Sequence, residues 1–459
     1  MKELEYPFDA AYIIKKRKSL KKALLADGTS RIRKKIAVFG GSTTSDIVKT
    51  LELFLLDAGI EPEFYESEYA QYFQDAMFPD ETLLSFKPDI VFIHTTNRNV
   101  TNWPEMTDTT EQIDEKLHTE LNRFTAMWKS IAEKFHCPII QNNFEMPLYR
   151  LLGSRDAWDI HGRTNFLTRL NEAFYAYARE NESFYIHDLN FVSADYGLKE
   201  WSNPLFWNMY KYAMCFEAIP SFAFSVSHII KSIFGKNKKA LALDLDNTLW
   251  GGVVGDDGVD GIEIGQETGV SQSYYEFQTY VKQLKSLGIV LTVCSKNDHE
   301  NAIAGLNHPE GALRPDDFVI IKANWENKDR NIAETAAELN ILPDSIVFAD
   351  DNPAEREIVR TQIKGAAVPD MDGVENYITT IDRSGFFEVT TFSEDDLKRN
   401  EMYKKNALRA AEMASFGDYN DYLKSLEMHA VIDDFIPVYL ARITQLTNKS
   451  NQFNVTTRR

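Results

Sequence analysis

Nine short apolar runs recur along this sequence, with helical patterns between them. Five lie in the first half, at Ile36–Gly41, Glu63–Tyr65, Ile90–His94, Pro138–Gln141 and Phe184–His187. Four follow at Ala240–Leu245, Ile289–Cys294, Phe318–Ile321 and Ile346–Ala349. Helical stretches such as Glu111–Phe135, Ser273–Leu287 and Asn331–Leu339 separate them. Strand–helix alternation gives parallel sheets with right-handed crossovers, and continuous apolar runs suit strands covered on both faces. The expected class is α/β: two doubly wound, Rossmann-like or flavodoxin-like parallel-sheet domains, then a mostly helical C-terminal segment. The expected division is a helical segment at 1–34, a first α/β domain at 35–236, a second at 237–383 and a C-terminal segment at 384–459. Its total of 459 residues agrees with about three domains.

In open α/β sheets ligands bind beyond the carboxyl ends of the strands, so the residues just after each run carry the functional information. After the second series these are Asp244 and Asp246, then Ser295, Lys296 and Asn297, then Lys328, then Asp350 and Asp351. Carboxylates crowded at one strand end repel unless a cation or proton lies between them. Acids for a divalent cation, with a hydroxyl and an ammonium for phosphate oxygens, form a Mg²⁺–phosphate inventory.

Asp244-Leu-Asp-Asn-Thr248 resembles the DxDxT signature of the haloacid dehalogenase (HAD) superfamily of phosphatases. The longer string through Trp250-Gly-Gly-Val-Val-Gly-Asp-Asp-Gly258 resembles the FkbH-like branch of that superfamily. The resemblance implies Asp244 as a nucleophile forming an aspartyl-phosphate, Asp246 as general acid/base, and Thr248 steadying them. It implies Ser295 as the motif II hydroxyl and Lys328 as the motif III lysine, with Lys322 a weaker candidate. Asp350 and Asp351 would be the motif IV acids, holding Mg²⁺ together with Asp244 and Asp246. Lys296, Asn297, Trp250 and Asn352 are the expected substrate contacts. FkbH-like proteins are associated with moving a glyceryl unit from a phosphorylated donor to an acyl carrier protein. Cys294 is therefore a candidate acyl-carrying thiol, set against an ordinary buried core cysteine. About 47 residues separate Thr248 from Ser295 and about 55 separate Ser295 from Asp350, too few for a large cap domain. A capless site needs other cover, such as a large carrier presenting the substrate, the N-terminal domain, or a small flap at Trp250–Gly255.

The first α/β domain carries Ser42 after its glycine turn, then His94-Thr-Thr-Asn97, Asn142-Asn143 and His187-Asp188. This is similar to SGNH-type hydrolases. The likeness implies Ser42 as nucleophile, Asn97 and Gly41 or a neighbour as oxyanion donors, and Asp188 orienting a base. The expected histidine about three residues after Asp188 is missing, since Asn190 and Phe191 follow. A serine without a base is a poor nucleophile, so a non-hydrolytic domain is expected.

A net charge of -19 argues against a general nucleic-acid or anionic-membrane surface. Three scattered cysteines fit free thiols in a reducing compartment, and the expected location is cytoplasmic. The basic stretch within Ile13–Leu25 is a docking face for an acidic partner or, more simply, a solvated helix. Ser393 opens a capped helix, and further elements are expected at Asp418–Ser425, at His429–Ile432 and from Val438. The stretch Arg442–Arg459 resembles the FkbH-like lead into an acyltransferase-like region, which implies a fragment of a larger synthetase. The leading expectation is a Mg²⁺-dependent phosphohydrolase acting on a phosphorylated small molecule or carrier-bound substrate. The alternatives are glyceryl loading of an acyl carrier protein and a non-catalytic phosphate-binding scaffold.

Overall fold

A computed structural model describes residues 1–415 and five positions beyond them, Glu427, His429, Ile432, Asp434 and Ile443. The elements expected at Asp418–Ser425 and His429–Ile432, from Val438, and over Arg442–Arg459 lie outside this described stretch. One compact unit spans Met1–Glu401; residues from Met402 onward form another, which takes most of the helix Arg399–Ser415.

The first sheet holds β1 (Ile32–Gly40), β2 (Ile60–Glu66), β3 (Ile90–His94), β4 (Ile139–Asn142) and β5 (Phe184–His187), all parallel, in the order β2-β1-β3-β4-β5. Successive side chains leave a strand on opposite faces, and each face here has its own core. Ile36, Val38, Ile90 and Phe92 meet the helices Ala10–Ala26, Ser45–Asp57 and Ile219–Ile233. Ala37, Phe39, Val91 and Ile93 meet Thr110–Phe135 and Arg163–Glu180. The N-terminal helix is therefore part of the first core, through Ile13, Leu20 and Leu24. Within its basic run, Arg17 pairs with Asp46 and Lys21 with Glu52.

The strand β1 starts four residues before the apolar run because its charged opening faces acids on the neighbouring edge strand. Arg33 lies opposite Glu61 and Lys35 opposite Glu63, both within ion-pair distance. Pro62 is tolerated in β2 because that strand is an edge.

The second sheet holds β6 (Ala240–Leu243), β7 (Val290–Ser295), β8 (Ile320–Ala323) and β9 (Ile346–Ala349), parallel, in the order β8-β7-β6-β9. Every residue of β6 and β9 is fully buried. Burying a Leu, Ile or Val side chain contributes about 1.5–3 kcal/mol, so these central strands anchor the loops at their ends. Between β6 and β7 lie a short helix at Val254–Asp257, a 3-10 turn and the helix Gly269–Ser286. One α-helix and one 3-10 turn fill each of the next two crossovers, and among the described residues no cap domain is inserted.

The connector is less free than its glycine and lysines suggest. Asn237 donates to the Ser232 hydroxyl at 2.9 Å and also bonds the Glu388 carbonyl, while Lys238 Nζ donates to the carbonyl of Gly365 at 2.9 Å. Arg383 adds a two-pronged bond to Asp195, at 2.9 and 2.8 Å, which joins the two sheets' helical layers. Among the described residues no helix is long and apolar enough to cross a membrane.

Candidate active site

The parallel register brings the strand tips level. Leu243 lies opposite Val293 of β7 and Ala349 of β9, so Asp244 and Asp350 are the first residues past two adjacent strands. The Asp244 N–H donates to the Ala349 carbonyl at 3.0 Å, after which the chain leaves the ladder. Asn247 makes that turn in the left-handed region, at φ 56°, and accepts the Gly252 N–H at 3.0 Å. Its carbonyl receives the hydroxyls of Tyr274 and Tyr377 at 3.3 and 3.1 Å.

Carboxylate oxygens of Asp244, Asp350 and Asp351 all lie within 4.8 Å of one another. Lys328 opens the helix Lys328–Glu338 and sends its ammonium into this cluster, 3.1 Å from Asp244 Oδ1 and in a close ion pair with Asp350 Oδ2. Burial opposes the Lys328 charge, but the carboxylates of Asp244 and Asp350 outweigh it and hold its pKa above the lysine range. Burial, then the charge of Asp244, pushes both Asp350 and Asp351 up. Lys322 is spoken for elsewhere, by Glu334 and Glu338. Thr248 is fully buried and bonds Asp351, whose N–H donates to its hydroxyl at 3.1 Å.

Asp246 stands apart from the acid cluster. Its Oδ1 accepts from Trp250 Nε1 at 2.9 Å and the Val254 N–H at 3.0 Å, and its Oδ2 accepts from Asn297 Nδ2 at 2.9 Å. Burial holds its carboxyl above the usual carboxylate range. The expected metal role for the Asp246 side chain is therefore corrected: it lies outside the cluster of three carboxylates, with Oδ1 held by two protein donors and Oδ2 by one.

Trp250 is corrected as well. It is 1 % exposed, and an added Cβ at Gly305 would come within 2.8 Å of its ring. It is a wall that aims Asp246, not a flap or a substrate contact. Asn297, 4 % exposed, likewise spends its amide on Asp246. Trp250→Phe keeps most of the packing and deletes one bond to Asp246. A hydrogen bond of this kind contributes about 1 kcal/mol, so any Asp246-dependent turnover should fall roughly 5- to 10-fold with little change in KM, as steady-state kinetics would report.

Ser295 ends β7 and is 1 % exposed. Lys296 is paired with Glu355 at 2.7 Å, which turns its charge toward the helix Pro353–Gln362. Asn352 caps that helix by accepting the Ala354 N–H, and its own N–H donates to Asp350 Oδ1 at 2.8 Å. Arg356, to which the sequence reading gave no role, is 3 % exposed and donates to the carbonyls of Asp350 and Asp351 at 2.9 and 2.7 Å. It fixes the backbone that carries both acids.

Cys294 is closed off beneath the cluster's lysine. The thiol is 1 % exposed, bonds the Lys328 carbonyl at 3.7 Å, and is pushed well up in pKa by burial. An acyl group has no path to it, and the thiolate that would attack is suppressed. The expectation of an acyl-carrying thiol is replaced by a core cysteine. Iodoacetamide should leave Cys294 unlabelled in the native protein and label it only in denaturant, as peptide mass spectrometry would show.

The first sheet's candidate residues do not assemble a hydrolase site. The Ser42 hydroxyl is buried and has no hydrogen-bond partner among the described residues. The Gly41 N–H is spent on the His94 carbonyl at 2.8 Å. Asn97 donates its amide to the carbonyls of Glu145 and Met146, both at 3.4 Å, and Asp188 caps the helix Leu189–Tyr196 while accepting from Asn143 at 2.6 Å. The oxyanion and base-orienting roles expected of Asn97 and Asp188 are thereby corrected. His187 is held by Asn142 and Ser225, and burial lowers its pKa to about 3.

Residues 35–231 match the N-terminal domain of FkbH. The crystal structure of the N-terminal part of the protein BF1531 from Bacteroides fragilis, containing a phosphatase domain complexed with Mg, is 31% identical. It covers 82% of this chain and 99% of its own, with a TM-score of 0.75. A second Bacteroides fragilis structure, of protein BF3764, aligns at 16% identity over 49% of this chain and 97% of its own, with a TM-score of 0.27, which is too slight to bear on fold or function. No curated protein matches the chain.

Proposed function

We propose, from the match of residues 35–231 to the N-terminal domain of FkbH and the likeness to a phosphatase-domain structure, that the chain is an FkbH-like, Mg²⁺-dependent phosphohydrolase working through an aspartyl-phosphate on Asp244. The single observation that carries this reading is the convergence of Asp244, Asp350 and Asp351 within 4.8 Å, with the Lys328 ammonium against two of them. Three hard carboxylate donors at one point suit Mg²⁺, so the residues fit the ion that the solved relative contains. When bound, Mg²⁺ supplies positive charge that neutralises a phosphoryl group beside these acids.

The chain's own groups do the rest. Asp244 attacks phosphorus, forming the Oδ–P bond as the P–O bond to the leaving group breaks. Asp246 gives that departing oxygen its proton, a role favoured by a carboxyl held above its ordinary pKa. The same carboxylate then takes a proton from water, which attacks phosphorus and returns Asp244 to its free form. Lys328 neutralises charge on the transferring group. Trp250, Val254 and Asn297 are positioning groups for Asp246.

Two features support a substrate presented by a larger body. Among the described residues no cap domain covers the site, and Trp325, beyond β8 at this same sheet edge, is 70 % exposed with Nε1 bonded to Asp298. A phosphoacyl or carrier-bound substrate fits that openness, and the partner in this reading is an acyl carrier protein or a neighbouring synthetase module. The test is phosphate release from a panel of free and carrier-linked phosphate monoesters, with and without Mg²⁺. Release that is independent of Mg²⁺, or absent across the panel, contradicts the proposal.

Metal binding should also couple to pH. Asp350 and Asp351, two of the three acids that would hold the ion, both have raised pKa values. In metal-free protein their contribution to stability is full below the unfolded carboxylate pKa and is lost as pH rises through the raised, folded values. Mg²⁺ binds the ionised form, so its stabilisation should grow over that same rise. Melting at pH 5 and pH 7.5, with Mg²⁺ and with chelator, should show the larger metal-induced gain in Tm at pH 7.5.

A further inference from the structure

The first sheet has a pocket of its own, unconnected with the acid cluster. It opens beyond the carboxyl ends of β3 and β4, where parallel sheets bind ligands, and encloses about 460 Å³. Arg98 and Arg163 stand on its walls. Arg98 lies over the Trp207 ring at 5.2 Å, and Arg163 lies over Trp103 at 4.8 Å and Tyr149 at 5.6 Å. Arg163 also donates to the Tyr149 hydroxyl at 3.1 Å. Stacking on a ring holds a guanidinium plane and leaves its edge N–H groups free to grip an oxyanion.

Among the described residues neither arginine is in an ion pair. That is unusual in a chain of net charge -19, where carboxylates outnumber cations. The remaining ionisable group in the pocket is Glu145, 3 % exposed, which accepts the Asn97 N–H at 3.2 Å. Burial pushes its carboxyl up to about 8, so at neutral pH it is largely uncharged and leaves the two guanidinium charges uncancelled.

We propose that this pocket is a second binding site, for a small organic anion whose phosphate or carboxylate head is held by Arg98 and Arg163 and whose body stacks against Trp103, Tyr149 and Trp207. Either head offers the coplanar oxygens that a guanidinium edge matches, and two arginines suit a dianion best. The site rests on different residues from the phosphohydrolase reading, and it stands or falls independently of it.

The test is calorimetric titration of the full chain in EDTA, so that the acid cluster is not loaded with metal. The probes are phenylphosphonate, benzoate and the neutral benzyl alcohol. Saturable binding of either anion, at least tenfold weakened in both Arg98→Gln and Arg163→Gln but retained in Asp244→Asn, supports the pocket. Tighter phenylphosphonate assigns a phosphate head, and tighter benzoate a carboxylate head. Arg98 is exposed, so its variant should keep the native melting temperature and remain a fair test. Failure of both anions to saturate, equal binding of benzyl alcohol, or loss of binding only in Asp244→Asn overturns the proposal.

Discussion

Asp244→Asn is expected to abolish Mg²⁺-dependent phosphate release, by on the order of 10⁴-fold in kcat, the scale seen when a covalent nucleophile is removed from a coupled catalytic set. The substitution is nearly isosteric. It keeps the backbone bond from Asp244 N–H to Ala349 and removes the oxygen that attacks. Melting should therefore change little while turnover disappears, and that split separates chemistry from folding. A scaffold that only binds phosphate has no turnover to lose. Measured release that survives Asp244→Asn would place the nucleophile elsewhere.

Lys328→Met carries the second large effect, and it should strike stability and activity together. The ammonium is 3 % exposed and bonds two carboxylates in a site that holds three. Methionine fills similar space but leaves Asp244 and Asp350 facing each other without a counter-charge. Breaking a buried ion pair from one side costs about 3–5 kcal/mol, because the partner charge stays buried and unpaired. In chelator the variant should melt well below the parent. Mg²⁺ supplies replacement charge, so much of that loss should return on adding it. Activity should stay depressed by about 10²–10³-fold even with saturating Mg²⁺, since the group that neutralises the transferring phosphoryl is gone. Thermal melts and steady-state rates, each with and without metal, check both halves.

Strands were the most legible part of the sequence because buried parallel strands are uniformly apolar. Ile90–His94 and Ile346–Ala349 are found with those same bounds. Boundaries failed where a partner, rather than the run itself, decided them. Arg33, Lys34 and Lys35 belong to β1 because acids and Pro62 lie opposite them on β2. The strand β6 stops two residues early because the chain turns at Asn247.

The acids were readable for a related reason. Strand-end carboxylates in register must converge, so Asp244, Asp350 and Asp351 follow from topology alone. Their supports do not. Trp250 sits beside glycines and so reads as a flap, yet its place is set by Gly305, far along the chain. Asn297, expected as a substrate contact, spends its amide on Asp246. Arg356 had one local signal: it follows the acid pair by a helical turn, close enough to reach back to the carbonyls of Asp350 and Asp351. In the first sheet, Asp188, expected to orient a base, caps the helix Leu189–Tyr196 instead.

The most direct measurement is acid quench during turnover of p-nitrophenyl phosphate with Mg²⁺, followed by peptide mass spectrometry. The aspartyl-phosphate mechanism predicts the mass of one phosphoryl group on the peptide carrying Asp244, absent when Mg²⁺ is withheld. Active turnover with no adduct on that peptide, or with the adduct on another residue, would contradict it.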